Sequence, residues 1–229
     1  MVEPYLSIII PTLNEERNIG RLLTQVKRVV KKYSYEIIIV DGGAGGPSGD
    51  ETVSIAKRYR ARILYDNRGK GSALIRGFNA AKGAIIISMD ADLSHRPEEL
   101  KLLISGIESG YDICVGSRFM SGGGSADMPP FRIFGNKLFV TMVNLLYGSR
   151  YTDMCYGYRS FTRSALKKIK LREMGFGIET EININARKAR LKILEVPSFE
   201  KKREEGEGKL RSFRDGFVIL NTIMKNLLS

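Results

Sequence analysis

Ile85-Ile86-Ile87-Ser88-Met89-Asp90-Ala91-Asp92 is the stretch on which the fold turns. An apolar run that stops abruptly in two acids reads as a strand buried on both faces, delivering carboxylates to the edge of a sheet. In open α/β sheets ligands bind just past such strand ends. Asp90 and Asp92 flank one small residue, so both can reach a single hard cation. Oxygen ligands with open positions suit Mg²⁺ or Mn²⁺ carrying a diphosphate. The stretch also starts a helix well, because Asp92 or Ser94 before Pro97-Glu98-Glu99 is a capping pattern. A cap and a metal ligand can share one turn.

Outward from this strand, the first half of the chain alternates in the same way. Residues 6–10, 36–40, 63–65 and 111–115 read as strands, and 52–59, 72–81 and 97–108 as helices. Ile19, Leu22, Leu23, Val26, Val29 and Val30 fall on one helical stripe. This alternation predicts an α/β fold with a mostly parallel sheet flanked by helices. The second half is less regular. It offers a glycine-rich loop at 121–125, an apolar helix at 136–147, a helix at 179–190, a strand at 191–196 and a charged loop at 201–209. Residues 212–228 read as an amphipathic helix with Phe213, Phe217, Leu220, Met224 and Leu227 or Leu228 on its apolar side. The expected organisation is one domain over 1–211 and a C-terminal amphipathic helix over 212–229 for membrane or partner contact.

The chain of 229 residues is long enough for one large α/β domain. No apolar run approaches the roughly 18–20 residues that span a bilayer. Met1-Val2-Glu3-Pro4 leads straight into a strand, so no signal peptide is expected. Cys114 and Cys155 lack metal-ligand spacing and fit core packing in a reducing cytosol. The net charge of +12 favours an anionic partner: nucleic acid, a phospholipid surface or a phosphorylated substrate. A nucleic-acid module is disfavoured, because the chain has neither aromatic-basic interleaving nor a zinc pattern.

Two more strand ends carry polar groups. The first ends in Pro11-Thr12-Leu13-Asn14-Glu15, the second in Asp41-Gly42-Gly43-Ala44-Gly45-Gly46. Carboxylates suit ribose hydroxyls or base N–H groups, and glycine lets backbone approach a ligand. Helix capping by residues 14–16 and a plain turn at 42–49 account for the same residues equally simply. The glycines do not form a dinucleotide fingerprint, nor is there a Gly-Lys-Ser/Thr phosphate loop.

Taken in order, these pieces resemble the family 2 glycosyltransferases of the GT-A fold, and among them the polyprenyl-phosphate enzymes such as dolichol-phosphate mannose synthases. Pro11-Thr12-x-Asn14-Glu15 is similar to the family's opening motif, and Arg68-Gly69-Lys70-Gly71 to a segment under the nucleotide. Asp90-Ala91-Asp92-Leu93-Ser94-His95 is similar to the metal motif. Gly116-Ser117-Arg118, Arg132-x-x-Gly135-Asn136, Asp153-x-x-x-Gly157-Tyr158-Arg159, Glu179-x-Glu181, Glu195-Val196-Pro197 and Gly206-x-Gly208-Lys209-Leu210 follow. The chain departs from the pattern where Asp41 is followed by Gly42 rather than a second acid. Ser94 stands where some relatives have a ligating Gln, and Gly208 where Ser is usual. Many relatives also carry C-terminal membrane spans.

The resemblance implies inverting transfer of a sugar, mannose or glucose, from a GDP- or UDP-sugar to a polyprenyl phosphate. Pro11, Thr12, Asn14, Glu15, Asp41, Gly42, Lys70, Asp90 and Ala91 would bind the donor, with Arg203 and Lys209 closing over its diphosphate. Asp90, Asp92 and Ser94 would hold the metal. Arg118, Arg132 and Asn136 would take the acceptor phosphate, with Asp92, Arg118, Arg132 and Asp153 as the catalytic set. Asp153 would orient Arg132 or the sugar, or act as base if the acceptor were a hydroxyl. A phosphate acceptor is already anionic and needs little deprotonation. The alternatives are the same fold acting on a soluble or polysaccharide hydroxyl, or a nucleotidyltransferase. The expected setting is cytoplasmic, peripheral on the membrane, as a homodimer or with a membrane partner. His95, the single histidine, is expected to support the site structurally.

Overall fold

The computed structural model describes residues 3–42, 47–202 and 212–227. The chain runs through β1 (Leu6–Thr12), α1 (Glu16–Val30), β2 (Tyr35–Asp41), α2 (Thr52–Arg58), β3 (Arg62–Tyr65), α3 (Lys70–Ala80) and β4 (Ile85–Ser88). A 3₁₀ turn (Pro97–Glu99) leads into α4 (Leu100–Glu108), followed by β5 (Ile113–Ser117), β6 (Gly124–Ser125) and α5 (Pro130–Tyr147). Then come β7 (Arg159–Thr162), α6 (Arg163–Lys168), α7 (Ile178–Lys188), β8 (Ile193–Pro197), β9 (Phe199–Glu200) and α8 (Ser212–Leu227).

Seven strands form one sheet in the order β3-β2-β1-β4-β7-β5-β8. The pairs β1–β2, β1–β4, β2–β3 and β5–β8 are parallel, and β7 runs antiparallel to both its neighbours. The chain therefore travels outward from β1 to β3 and returns to β4 on the other side of β1. That reversal opens a crevice at the carboxyl ends of β1 and β4.

Strand residues alternate between two apolar layers, as a two-residue period requires. Ile8, Ile10, Ile37, Ile39 and Ile87 pack under α1 and α4 with Leu22, Leu23, Val26 and Leu103. Ile9, Ile38, Val40, Ile86 and Phe161 pack on the opposite face with Leu74 and Phe78 of α3 and Ile178 and Ile182 of α7. Each fully buried aliphatic side chain contributes about 1.5–3 kcal/mol relative to exposure.

The second half departs from its sequence reading in three places. β7 has no apolar period to reveal it, since Arg159 opens it and is itself buried. The loop at 121–125 ends in β6, which pairs with β9. Helix α8 packs through Ile219, Thr222 and Ile223, against Val143 of α5 and Ile184 of α7. Phe217, at 72% exposure, and Met224 face outward, on the stripe expected to meet a membrane or a partner. Two apolar stripes compete on this helix, and the contact with α5 and α7 selects the Ile219–Ile223 stripe. The side chain of Phe213 and residue Leu228 lie outside the described part.

Candidate active site

The turn after β4 is fixed from both sides. Met89 N donates to Ile9 O at 3.1 Å, and Asp90 N donates to Nδ1 of His95 at 3.1 Å. His95 is buried, stacked on Tyr158 at 4.6 Å and edge-on to Tyr156 at 4.8 Å. Burial lowers its pKa. An Nδ1 that accepts leaves the proton on Nε2, which lies 3.8 Å from Asp90 Oδ2. His95 thus props the acidic turn from beneath. Asp92 Oδ1 accepts from Ser94 N at 3.1 Å and Ser94 Oγ at 2.7 Å. Leu93 between them has φ 61°, a left-handed conformation that a side chain such as leucine rarely adopts. Its buried side chain anchors the turn in that shape.

Lys70, at the start of α3, reaches into this turn. Its Nζ lies 2.8 Å from Asp90 Oδ1 and 3.0 Å from Glu179 Oε1, the latter contact lacking hydrogen-bond alignment. Burial opposes its charge, yet Asp90 and then Glu179 raise its pKa above the ordinary lysine value. Glycines make the approach possible. A Cβ on Gly71 would meet Glu173 O at 2.2 Å, and one on Gly157 would lie 3.3 Å from both Glu179 Oε1 and Lys70 Nζ.

A cleft of about 320 Å³ opens beside the ends of β2 and β3, lined by Asp41, Pro47, Tyr65, Asp66, Asn67, Arg68 and Arg76. Asp41 is buried and accepts from Thr12 Oγ1 at 2.8 Å, Ser48 Oγ at 2.6 Å and Ser48 N at 2.8 Å. Asp66 accepts from Arg68 Nη2 at 2.8 Å and Ser72 Oγ at 2.9 Å. The bond from Arg68 is the main force lowering its pKa, ahead of burial acting the other way. Pro11 lies within β1, and Gly42 N donates to Thr12 O at 2.9 Å. Asn14 adopts φ 55° and accepts from Gly49 N at 3.0 Å, while Glu15 accepts from Asn18 Nδ2 at 2.8 Å. Asn14 and Glu15 therefore shape the rim and the start of α1.

Across β7 lies a second charged cluster. Arg118, one residue past β5 and with its side chain only 8% exposed, forks onto Asp153 through Nε at 2.7 Å and Nη2 at 2.9 Å. Its guanidinium also sits 4.6 Å over the Tyr156 ring. His95 touches that same ring, so a contiguous stack joins the acidic turn to Arg118. Asp153 is fully buried, and its oxygens also accept from the amides of Arg118 and Cys155. Glu195 holds the preceding backbone, accepting from Thr152 N at 2.9 Å and Asp153 N at 3.3 Å. Asn136 accepts from Met154 N at 3.1 Å, and its buried Nδ2 has no partner among the described residues. Arg132 lies one turn earlier on the same face of α5.

The structure thus gathers Asp90, Ala91, Asp92, Ser94 and Lys70 at one strand end and Arg118 and Asp153 near another. It gives Asp153 to Arg118, where the sequence suggested Arg132 or the sugar. Ser94 turns its hydroxyl to Asp92. Arg203 and Lys209 lie outside the described residues. Asp66, Tyr65, Arg76 and Glu200 were missed from sequence. Asp66 carried a usable signal, since it follows a strand end as Asp41 and Asp90 do.

Residues 7–170 match the model of glycosyl transferase family 2, and the chain belongs to that family. It is 32% identical over 210 residues to a dolichol-phosphate mannosyltransferase of Pyrococcus furiosus, covering 90% of this chain and 59% of that protein. It is 30% identical over 213 residues to the polyprenol monophosphomannose synthase of Mycolicibacterium smegmatis, covering 89% and 80%. A solved structure of glucosyl-3-phosphoglycerate synthase from Mycobacterium tuberculosis, in complex with Mn²⁺, UDP and glucosyl-3-phosphoglycerate, aligns with a TM-score of 0.75. That alignment covers 98% of this chain and 80% of the other at 21% identity, which shows the shared GT-A architecture.

Proposed function

We propose that the protein transfers a sugar, with inversion, from a GDP- or UDP-sugar to a polyprenyl phosphate. One observation carries this reading. Asp90 and Asp92 follow β4, Arg118 follows β5, and β7 alone separates those strands in the sheet. At ordinary strand spacing the two sites are roughly 10 Å apart, room for one sugar ring between a diphosphate and a phosphate. The two family relatives named for polyprenyl or dolichol phosphate support the acceptor class.

The cleft at Asp41 and Asp66 would take the nucleoside. Asp90 and Asp92 offer hard oxygen donors that fit Mg²⁺ or Mn²⁺. No group of three or more His, Cys, Asp or Glu suited to a metal gathers among the described residues, so diphosphate and water would complete the shell. When bound, the ion would offset charge growing on the departing diphosphate. Lys70, already held between two carboxylates, adds positive charge at the same place. Arg118, Arg132 and Asn136 would orient the acceptor phosphate, whose oxygen attacks the anomeric carbon from the opposite face. A hydroxyl acceptor would require a base. Asp153 is poorly placed for that task, being fully buried with both oxygens accepting hydrogen bonds.

No helix among the described residues is long and apolar enough to cross a membrane. A lipid acceptor would be met at a surface, and α5 and α8 supply an apolar one. Phe134 and Leu145 on α5 are 72% and 79% exposed, and Phe217 on α8 is 72% exposed. Calorimetry with GDP and UDP, with and without Mn²⁺, tests the donor assignment. Asp92→Ala should abolish the metal-dependent part of nucleotide binding while the fold persists. Unchanged affinity would sink the metal assignment. Transfer to a water-soluble hydroxyl acceptor but not to polyprenyl phosphate in anionic vesicles would replace the lipid reading.

A further inference from the structure

Arg118 carries one positive charge and touches two negative ones, and the two contacts differ in kind. The Asp153 pair is a two-pronged fork with a fully buried carboxylate. The Glu200 contact is looser. Arg118 Nη1 alone reaches Glu200 Oε1 at 3.3 Å and Oε2 at 3.2 Å. Glu200 belongs to β9, a two-residue strand in a two-stranded sheet with β6, and it also accepts from Ser125 Oγ.

Charge arithmetic gives the arrangement a meaning. Arg118 with Asp153 is neutral. Adding Glu200 makes the cluster net negative, which opposes an arriving phosphate carrying one to two negative charges. We propose that Glu200 occupies, in the acceptor-free protein, the place on Arg118 Nη1 that the acceptor's phosphate monoester takes, and that the phosphate displaces it. The inference rests on the reading of Arg118 as the acceptor-phosphate residue. Glu200 then sets the affinity for the phosphate: each arriving monoester must displace a carboxylate, whereas an alcohol lacking a phosphate does not compete for Arg118. The same short strand is tied to the acidic turn. Lys201 N, the next amide along, donates to Ser94 O at 2.8 Å, and Ser94 holds Asp92.

The test is calorimetry of the full chain with a short-chain polyprenyl phosphate and with the matching polyprenol. Glu200→Gln keeps size and hydrogen bonding but removes the charge. It should tighten polyprenyl phosphate binding on the order of tenfold and leave the polyprenol unaffected. GDP and UDP affinities in the presence of Mn²⁺ should hold. Ser125→Ala, which removes a hydroxyl that fixes Glu200, should act in the same direction by less. Equal or weaker phosphate binding in a Glu200→Gln protein that still unfolds cooperatively overturns the inference, as does equal tightening toward the neutral polyprenol. If Arg118→Ala abolishes phosphate binding while Glu200→Gln does not tighten it, this inference alone fails. If the wild-type protein binds polyprenyl phosphate no better than Arg118→Ala does, the acceptor reading fails with it.

Discussion

The two sides of the sheet are held together by different physics. From β3 to β4, strands of isoleucine and valine pair in parallel between two apolar layers. From β7 to β8, apolar layers continue through Ile113, Val115 and Phe161, but ions and amides are wired into the interior beside them. Arg159 is buried and donates to Tyr156 O at 2.8 Å and Asn183 Oδ1 at 2.7 Å; Arg118 grips Asp153, and Glu195 grips the amides before it. Apolar layers tolerate graded loss, because a smaller side chain leaves a smaller contact. A buried ion pair does not, because removing one partner strands the other charge. The β3–β4 side can therefore drift in sequence while the β7–β8 side must change in pairs.

Breaking that contrast gives the largest expected effect. Arg118→Ala leaves Asp153 buried without its counter-ion and should cost about 3–5 kcal/mol of stability in denaturant titrations. A loss below about 1 kcal/mol would mean that the second cluster is solvated rather than buried. Ile87→Ala, in the apolar half, should cost about 2–4 kcal/mol, with nucleotide affinity of the folded fraction unchanged. If it altered affinity as much as stability, the layers and the site would not be separable.

Gly157→Ala sharpens the comparison where the halves meet. Its methyl would press on Glu179 and Lys70 with little effect on packing. Nucleotide affinity should fall by roughly fivefold, about 1 kcal/mol, with the melting temperature nearly kept. An unchanged affinity would detach the Lys70 cluster from donor binding.

The smallest effect is one of pH. Burial raises the pKa of Glu195, the largest cause, against the backbone bonds from Thr152 and Asp153. The folded protein therefore holds this proton more tightly than the unfolded chain. Its contribution is fully present below the ordinary glutamate value and is lost as pH rises through the folded one. Glu195→Gln should flatten the stability profile over that window, from about pH 4 upward, when melting is followed against pH. A profile parallel to wild type would show that the carboxyl titrates as an exposed one.

The acids at the ends of the parallel strands were legible because a strand end is a local signal: an apolar run, then an acid. Asp41 and Asp90 were found that way. The pairing partners were not local. Glu179 reaches Lys70, Glu200 reaches Arg118 and Arg159 reaches Asn183 across distant segments, and no periodicity encodes such pairs. Helix α8 shows the same limit: its two apolar stripes are equivalent until α5 and α7 choose one.

Strand β7 carries a consequence for the order in which the protein can be made. It is inserted between β4 and β5, pairing Ile86 with Phe161 and Cys114 with Ser160. A growing chain that has emerged only through β5 holds two unsatisfied strand edges, flanking a gap that a later segment must fill. Such edges invite pairing with other chains. Vectorial synthesis thus leaves this fold open at its centre until residue 162 is available, and truncations that stop before it should aggregate rather than form a smaller version of the protein.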